Sequence, residues 1–519
     1  MSKTKITNQD IQKMANLAKL SLNDQELNLY SSQFTNILDY IDQLDEVNVQ
    51  NVKPTYQTLD QTTNILREDK IQPCLTQKQA LSNAQKTYQG YFVAHHVFSN
   101  SNKIKKSEQK TPTRPQLDPL GAILTKVNPK GRVGHKDLFC TAGVETTAGS
   151  HLLAGFIPPY SSTIVNQLEK LGYPTRYKLN QDAWGHGSSG ENSDFFPSKN
   201  PYAPEKVSGG SSSGSAVTVA TKDVELATGT DTCGSIRMPS CYCNVVGLKP
   251  TYGALSRYGV IAFASSLDCP GLLAKSVKKI KDIYQQLALP DSHDATSQSN
   301  SRNKLKDNNK IKTIGVPKEF FTKGLDKTVN QAIQQALQLF KEQGYKIKTI
   351  SLPHAQYALA TYYIIAPTEA SSNLGRYDGV RYGKHRNSFG AEAKRRIMLG
   401  TFVSSAGYAD KYYEKAAKVR TLVIQDFQKV FQSVDVILAP VSPTPPFNLG
   451  EKVNDPLQLY LMDIFAAPAS LAGLPALALP CGFSDKLPLG LQLIGPRWSE
   501  NRLFTLGEKY QQLTNYHQQ

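Results

Sequence analysis

The chain predicts an α/β layer fold preceded by a small helical hairpin with an extended arm, and three observations carry that prediction. From about 120 to 290 and from 311 to 515, apolar strand-like runs alternate with helical patterns, as where Val434 to Leu438 follows a helix containing Val419 to Val430. Residues 1–97 lack that alternation and carry helical stripes instead. Between them lies SNSNKIKKSEQKTPTRPQLDP (99–119), whose polar, lysine-rich and proline-marked composition is that of a flexible tether. The expected organisation is therefore a hairpin-and-arm unit at 1–97, a linker at 98–119 and the large unit at 120–515. A length of 519 residues suits more than one domain and a sizeable core.

Thr7 and Asp10 have capping-box spacing, and Ile11, Met14, Ala15, Leu17 and Ala18 then recur at helical intervals, which predicts a short amphipathic helix. A second helix starts after Ser21 to Asp24, with Leu27, Tyr30, Phe34, Ile37, Leu38, Ile41 and Leu44 tracing one stripe. The two helices can pair as a hairpin. From Val49 to about Val97 the pattern thins to isolated anchors, Ile65, Leu66, Tyr88, Tyr91 and Phe92, spaced like an arm that needs a partner surface. In the large unit the polar stretch Asp291 to Asn309 reads as a surface excursion between two halves.

The net charge is +16, yet residues 1–97 hold nine basic and ten acidic side chains, so the excess belongs to the rest of the chain. Such a surface suits an acidic partner or RNA, but no arginine-glycine or aromatic RNA-binding motif accompanies it. Seven cysteines, at 74, 140, 233, 241, 243, 269 and 481, form an odd, scattered set without C-x-x-C pairs, as expected of reduced thiols in a cytoplasmic protein. Cys241 and Cys243 lack supporting ligands, so no metal is expected. The N-terminus carries no apolar signal segment, and Leu457 to Pro480 is interrupted by Asp463, Pro468, Gly473 and Pro475, so no membrane span is expected.

The chemistry concentrates in two glycine-rich serine turns between Gly209 and Arg237. Glycines beside a serine let backbone N–H groups turn toward an anion, and a serine there can attack a carbonyl whose oxyanion those amides receive. Amides of Thr232, Cys233 and Gly234 can line such a hole for attack by Ser235, with Asp231 and Arg237 bridging beneath the loop. No histidine lies within the turns, and Lys136 can serve as base once burial lowers its pKa. Gly210 to Gly214 also fits G-x-S-x-G with Ser212 as nucleophile, a weaker match because a polar, proline-bearing loop precedes it where the elbow needs a strand.

Together, HKDLFCTAGVETTAGS (135–150), GSSGENS (187–193), the two serine turns, VVGLKPTYGALSRYGVIAFASSLD (245–268) and LAGLPALALPCGF (471–483) resemble the amidase signature family. The resemblance implies an α/β/α sandwich around a mixed sheet and a triad of lysine, cis-bonded serine and nucleophilic serine, at Lys136, Ser211 and Ser235. Two positions differ from the family pattern, Ser213 and Cys233 standing where glycine is usual; at 233 a positive φ would be strained for a residue with a Cβ. TYYIIAPTEASSNLGRYDGVRYG, KRRIMLGTF, GYADKYYEKAAKVRTL and DPLQLYLMDIFAAPASLAGLP narrow the resemblance to the A subunits of tRNA-dependent amidotransferases. That implies glutamine as substrate, with Arg396 on its carboxylate, Asp463 on its α-ammonium and Tyr362 beside it. IQKMANLAKLSL, ILDYIDQLDEV and NILREDKI (64–71) are similar to the C subunits of the same enzymes. The implied assembly adds a separate B subunit that binds tRNA and uses ATP and Mg2+, with no cofactor in this chain. A stand-alone amidase for another small amide, and a scaffold without glutaminase activity, remain the alternative readings.

Overall fold

Short runs buried on both faces form the central strands of the large sheet. In the computed structural model, which describes residues 6–59, 66, 68–71, 73–94, 114–298, 311–321, 324–381 and 383–519, the strands in chain order are β1 (Thr87–Tyr88), β2 (Tyr91–Phe92), β3 (Ile123–Lys126), β4 (Val133–Lys136), β5 (Thr175–Leu179), β6 (Leu226–Thr230), β7 (Val246–Lys249), β8 (Pro270–Ala274), β9 (Thr313–Pro317), β10 (Lys346–Ile350), β11 (Val436–Pro440), β12 (Ala476–Ser484) and β13 (Leu487–Ile494). β1 and β2 pair as a small hairpin, and the other eleven make one sheet in the order β10-β9-β11-β13-β12-β7-β8-β6-β4-β5-β3. The parallel pairings are β10–β9–β11 and β6–β4–β5, toward the two ends, while the middle and the β5–β3 edge are antiparallel. This is the mixed sheet expected.

Alternation along each strand feeds two helical layers. Val436 and Leu438 of β11 belong to one apolar cluster with the helices Thr163–Lys170, Val277–Leu287, Lys327–Glu342 and Glu500–Leu513, whereas Ile437 and Ala439 belong to another with Ala358–Asn373, Ala391–Val403 and Lys415–Val430. The sheet is thus covered on both faces, and its central strands are apolar on both.

The N-terminal hairpin forms as the caps and stripes predict. Helix α1 (Asn8–Leu17) starts at a Thr7–Asp10 capping box and α2 (Asp24–Ile41) at an Asn23–Glu26 one. Tyr30, Phe34, Ile37, Leu38 and Ile41 are buried, but Leu17 of the predicted stripe is 62% exposed, because it falls in the last turn, beyond the face covered by the large unit. The hairpin docks on the helix Ala391–Val403: Tyr30 donates to the Ala391 carbonyl at 3.1 Å, Lys394 to Glu26 at 2.6 Å and Arg395 to Gln33 at 3.0 Å. The arm follows the helix Lys415–Val430, where the Thr55 amide donates to the Ala417 carbonyl and Tyr56 stacks on Tyr413. Further on, Leu66, Tyr88 and Tyr91 are largely exposed and Phe92 is 39% exposed, so the described residues of this chain leave most of these anchors uncovered. Ile65, most of the expected tether and residues 299–309 of the expected surface excursion lie outside the described residues. The excursion's first residues are anchored instead, Asp291 accepting from Thr163 and Ser256.

Candidate active site

Lys136 ends β4 between β5 and β6 in the parallel end of the sheet, and its side chain has no solvent exposure. PKGRVGH is polar for a strand, yet Val133–Lys136 is buried throughout because both of its edges are paired. The Lys136 ammonium has three partners, all hydroxyls: Ser211 Oγ at 2.7 Å, Thr230 Oγ1 at 2.8 Å and Ser212 Oγ at 3.0 Å. Burial lowers its pKa to about 7, with Asp182, Asp231 and Asp268 pulling it back from a distance. An amine so held takes up and releases a proton near neutrality.

Ser211 follows a cis peptide bond from Gly210 and is 1% exposed. A Cβ on Gly210 would overlap the Asp182 carboxylate, which leaves glycine as the residue that fits before Ser211. Ser212 precedes the helix Ser213–Ala220, but its hydroxyl is occupied by Lys136 and by the backbone of Thr230, it follows a loop rather than a strand, and no histidine bonds it; the G-x-S-x-G elbow is not built here. The Ser212 amide donates to the Ser235 carbonyl at 3.0 Å and so ties the two serine turns together. No hydrogen bond directly joins the Ser211 and Ser235 hydroxyls among the described residues.

Asp231 and Arg237, both fully buried, make the bridge read from the sequence, Nε to Oδ2 and Nη2 to Oδ1 each at 3.0 Å. Arg237 and Ser470 also hold the Cys233 carbonyl, at 2.5 and 2.9 Å. A carbonyl pinned on one side directs the N–H of the same peptide, that of Gly234, to the other. Among the described residues none of the amides of Thr232, Cys233, Gly234 and Ser235 donates a hydrogen bond, so the loop presents a row of free donors. Cys233 does not take a positive φ, nor does Ser213, and the departures from glycine are accommodated without left-handed backbone. At Gly234 the fit is tighter: a Cβ would lie 2.8 Å from Ala466 Cβ and 3.0 Å from Asp463 Oδ1.

Asp463 therefore borders the serine loop. Burial raises its carboxyl to about 7, and Ser188 donates to it. Arg396, on the helix Ala391–Val403, is 2% exposed and donates through Nε to Glu392 at 2.7 Å, while its Nη1 has no hydrogen-bond partner among the described residues. Its guanidinium faces the rings of Phe263, Tyr363 and Tyr460 at 5.3, 5.2 and 5.4 Å. Tyr362 is buried nearby, its phenol pushed well above the ordinary value by burial and by the Cys233 side chain, with Arg396 opposing. An unspent guanidinium N–H beside a buried carboxylate suits a zwitterionic ligand.

The nine residues picked from the sequence thus gather at one place. Glu392, Ser188, His186 and Thr230 complete it without having been picked as site residues, and Ser212, the nucleophile of the weaker elbow reading, serves here as a hydroxyl partner of Lys136. Two of them left a signal, Ser188 within the GSSGENS string and Glu392 four residues before Arg396 on one helical face.

Fold and site together define the class. The sequence pattern of the amidase family matches residues 133–504, and the chain belongs to that family. A second pattern, that of the Glu-tRNAGln amidotransferase C subunit, matches residues 22–93. The A subunit of the glutamyl-tRNA(Gln) amidotransferase of Myxococcus xanthus (strain DK1622) is 50% identical over 399 residues, 73% of this chain and 82% of that protein. The solved A subunit from Thermotoga maritima is 39% identical with a TM-score of 0.65, covering 76% of this chain and 87% of that one. Allophanate hydrolase from Kluyveromyces lactis has a TM-score of 0.64 at 28% identity, covering 73% and 61% respectively. Within the amidases the chain falls with the A subunits of glutamyl-tRNA(Gln) amidotransferases, and a C-subunit region precedes that part in the same polypeptide. Among the described residues, no helix is long and apolar enough to cross a membrane, and no group of three or more His, Cys, Asp or Glu side chains is placed to hold a metal ion.

Proposed function

We propose that this chain is the glutamine-hydrolysing component of a tRNA-dependent amidotransferase, with C-like residues 1–97 joined through 98–119 to the A-like unit 120–515. The observation that carries the reading is the buried Lys136 amine, lowered to about 7 and bonded to Ser211. Neutral Lys136 takes the Ser211 proton as Ser211 takes that of Ser235, and Ser235 Oγ attacks the glutamine side-chain carbonyl. The amides of Thr232, Cys233 and Gly234 receive the oxyanion. The C–N bond then breaks, the proton returns through Ser211 to the departing nitrogen, and ammonia leaves. Water, deprotonated along the same route, cleaves the ester to glutamate and restores Ser235. Arg396 holds the substrate carboxylate, Asp463 the α-ammonium, and Tyr362 packs beside them.

The ammonia is used by a separate B subunit, which binds the mischarged tRNA, Glu-tRNA(Gln) or Asp-tRNA(Asn), and activates its acyl group with ATP and Mg2+; tRNA reaches this chain mainly through that subunit. Glutamine hydrolysis itself uses side chains and backbone amides alone, and the setting is cytoplasmic translation. A scaffold role is opposed by the free amides of the serine loop, and a stand-alone amidase for uncharged amides by the pairing of Arg396 with Asp463. The test is ammonia release from glutamine by the chain with its B subunit, wild type against Ser235→Ala. Loss of a clear signal, by about 10³-fold or more, is expected; absence of release from wild type, with free ammonia still supporting tRNA amidation, establishes the scaffold instead.

A further inference from the structure

The segment Gly185 to Ser188 runs along the site from the serine turns to Asp463. A Cβ at Gly185 would sit 3.7 Å from Ser211 Oγ and 3.8 Å from the Phe263 ring, and Ser188 donates to Asp463. His186 lies between these two contacts. Its imidazole has no solvent exposure, and neither Nδ1 nor Nε2 has a hydrogen-bond partner among the described residues. It meets the Phe263 ring edge to face at 4.4 Å, and Phe263 is also the ring that Arg396 faces at 5.3 Å. His186 and Arg396 therefore flank one aromatic side chain, each with an unspent buried donor, Nη1 in the case of Arg396.

Two buried ring nitrogens without a protein partner are costly to folding unless a ligand uses them, and phenylalanine or methionine would fill the same space without that cost. Burial, reinforced by the Arg396 charge, holds the ring neutral. A neutral imidazole has one N–H to give. It adds a directed donor without placing a second cation beside Arg396. We infer that His186 is a substrate-specificity residue, donating a hydrogen bond to the α-carboxylate of bound glutamine beside Arg396. This rests on the glutaminase reading and adds a second donor to its carboxylate subsite.

The experiment presents two probes, glutamine and 4-aminobutanamide, to the full chain with its B subunit; the second probe is glutamine without the carboxylate. His186→Leu is expected to raise the KM for glutamine about tenfold or more with a small change in kcat, while the inhibition constant of 4-aminobutanamide stays within about twofold. His186→Gln, which keeps an N–H donor, is expected to recover most of the loss. Should His186→Leu fail to fold, as its melting temperature will reveal, His186→Met carries the same comparison. An unchanged KM for glutamine, or equal weakening of both probes, overturns the inference and leaves the glutaminase reading intact. Calorimetric titration of glutamine into the Ser235→Ala protein separates the two: no binding there removes the glutamine reading and this inference together.

Discussion

Two buried lysines on adjacent strands of one sheet have opposite surroundings. Lys136 on β4 and Lys178 on β5 both have no exposure, and burial lowers the pKa of each. Lys136 is bonded to three hydroxyls. Lys178 instead has the Asp137 carboxylate at 3.3 Å, with Thr146 Oγ1 at 2.9 Å and the Phe139 carbonyl completing its shell. Hydroxyls solvate an amine in either protonation state, whereas a carboxylate in contact favours the ammonium. Burial alone does not make a base; the charge of the nearest partner decides. Lys178 ties down the loop that leaves β4, since Asp137, Phe139 and Thr146 all belong to it, and so supports Lys136 without sharing its chemistry.

Exchanging each lysine for methionine breaks the comparison most sharply. Lys136→Met is expected to cost about 10³- to 10⁴-fold in ammonia release, the range for loss of a general base, with the fold retained because three hydroxyls survive its loss. In wild type the rate should rise with pH through about 7, as the amine loses its proton. Stability follows in sign: folded Lys136 titrates near 7 and the unfolded residue near 10.4, so the unfolded chain binds the extra proton between those values. The burial cost is fully felt below about 7, and stability from this group climbs from there to about 10.4. Denaturant unfolding at several pH values should display that climb in wild type and not in Lys136→Met. If activity is flat across this range, Lys136 is not the base.

Lys178→Met should do the reverse. It strands the Asp137 carboxylate in the interior and is expected to cost about 3 to 5 kcal/mol in folding stability, read from urea unfolding. At temperatures where the variant remains folded, its pH profile for ammonia release should keep the wild-type position. A profile displaced as far as in a Lys136 variant would join the two lysines into one catalytic unit.

The same pair marks how far the sequence could be read. Lys136, Ser211 and Ser235 lie in local strings whose glycines and serines have few uses besides turning backbone amides toward a ligand. The hairpin was legible through the Thr7–Asp10 capping box and an apolar stripe on each helix, whereas the Asn23–Glu26 box came only with the structure. Lys178 was not, because TRYKL is an ordinary amphipathic strand until the β4–β5 register sets Lys178 opposite His135 and covers it. His186 was invisible for the same reason: its neighbours, Phe263 and Arg396, are far away in sequence and meet it only through the fold, while Ser188, legible as part of GSSGENS, finds its partner Asp463 only there. The arm's aromatic anchors were legible as residues needing a surface, and the described part of this chain supplies none for Tyr88 and Tyr91.

The finest discrimination between the two lysines comes from a single methyl-for-hydroxyl exchange near each. Thr230 Oγ1 accepts from Lys136 Nζ at 2.8 Å, and Thr230→Val keeps its volume while removing that acceptor. The charged amine loses more than the neutral one, so the activity rise should move to lower pH by about one, with the rate above it within about tenfold of wild type. Thr146→Val removes the matching hydroxyl from Lys178, at 2.9 Å, and leaves the Asp137 pairing in place. Its pH profile should stay where it was, with only a loss of about 1 kcal/mol in stability. A downward move with Thr230→Val alone shows that the hydroxyl shell helps set the basicity of Lys136; no move, or an upward one, would leave burial, opposed by the distant carboxylates Asp182, Asp231 and Asp268, to set it.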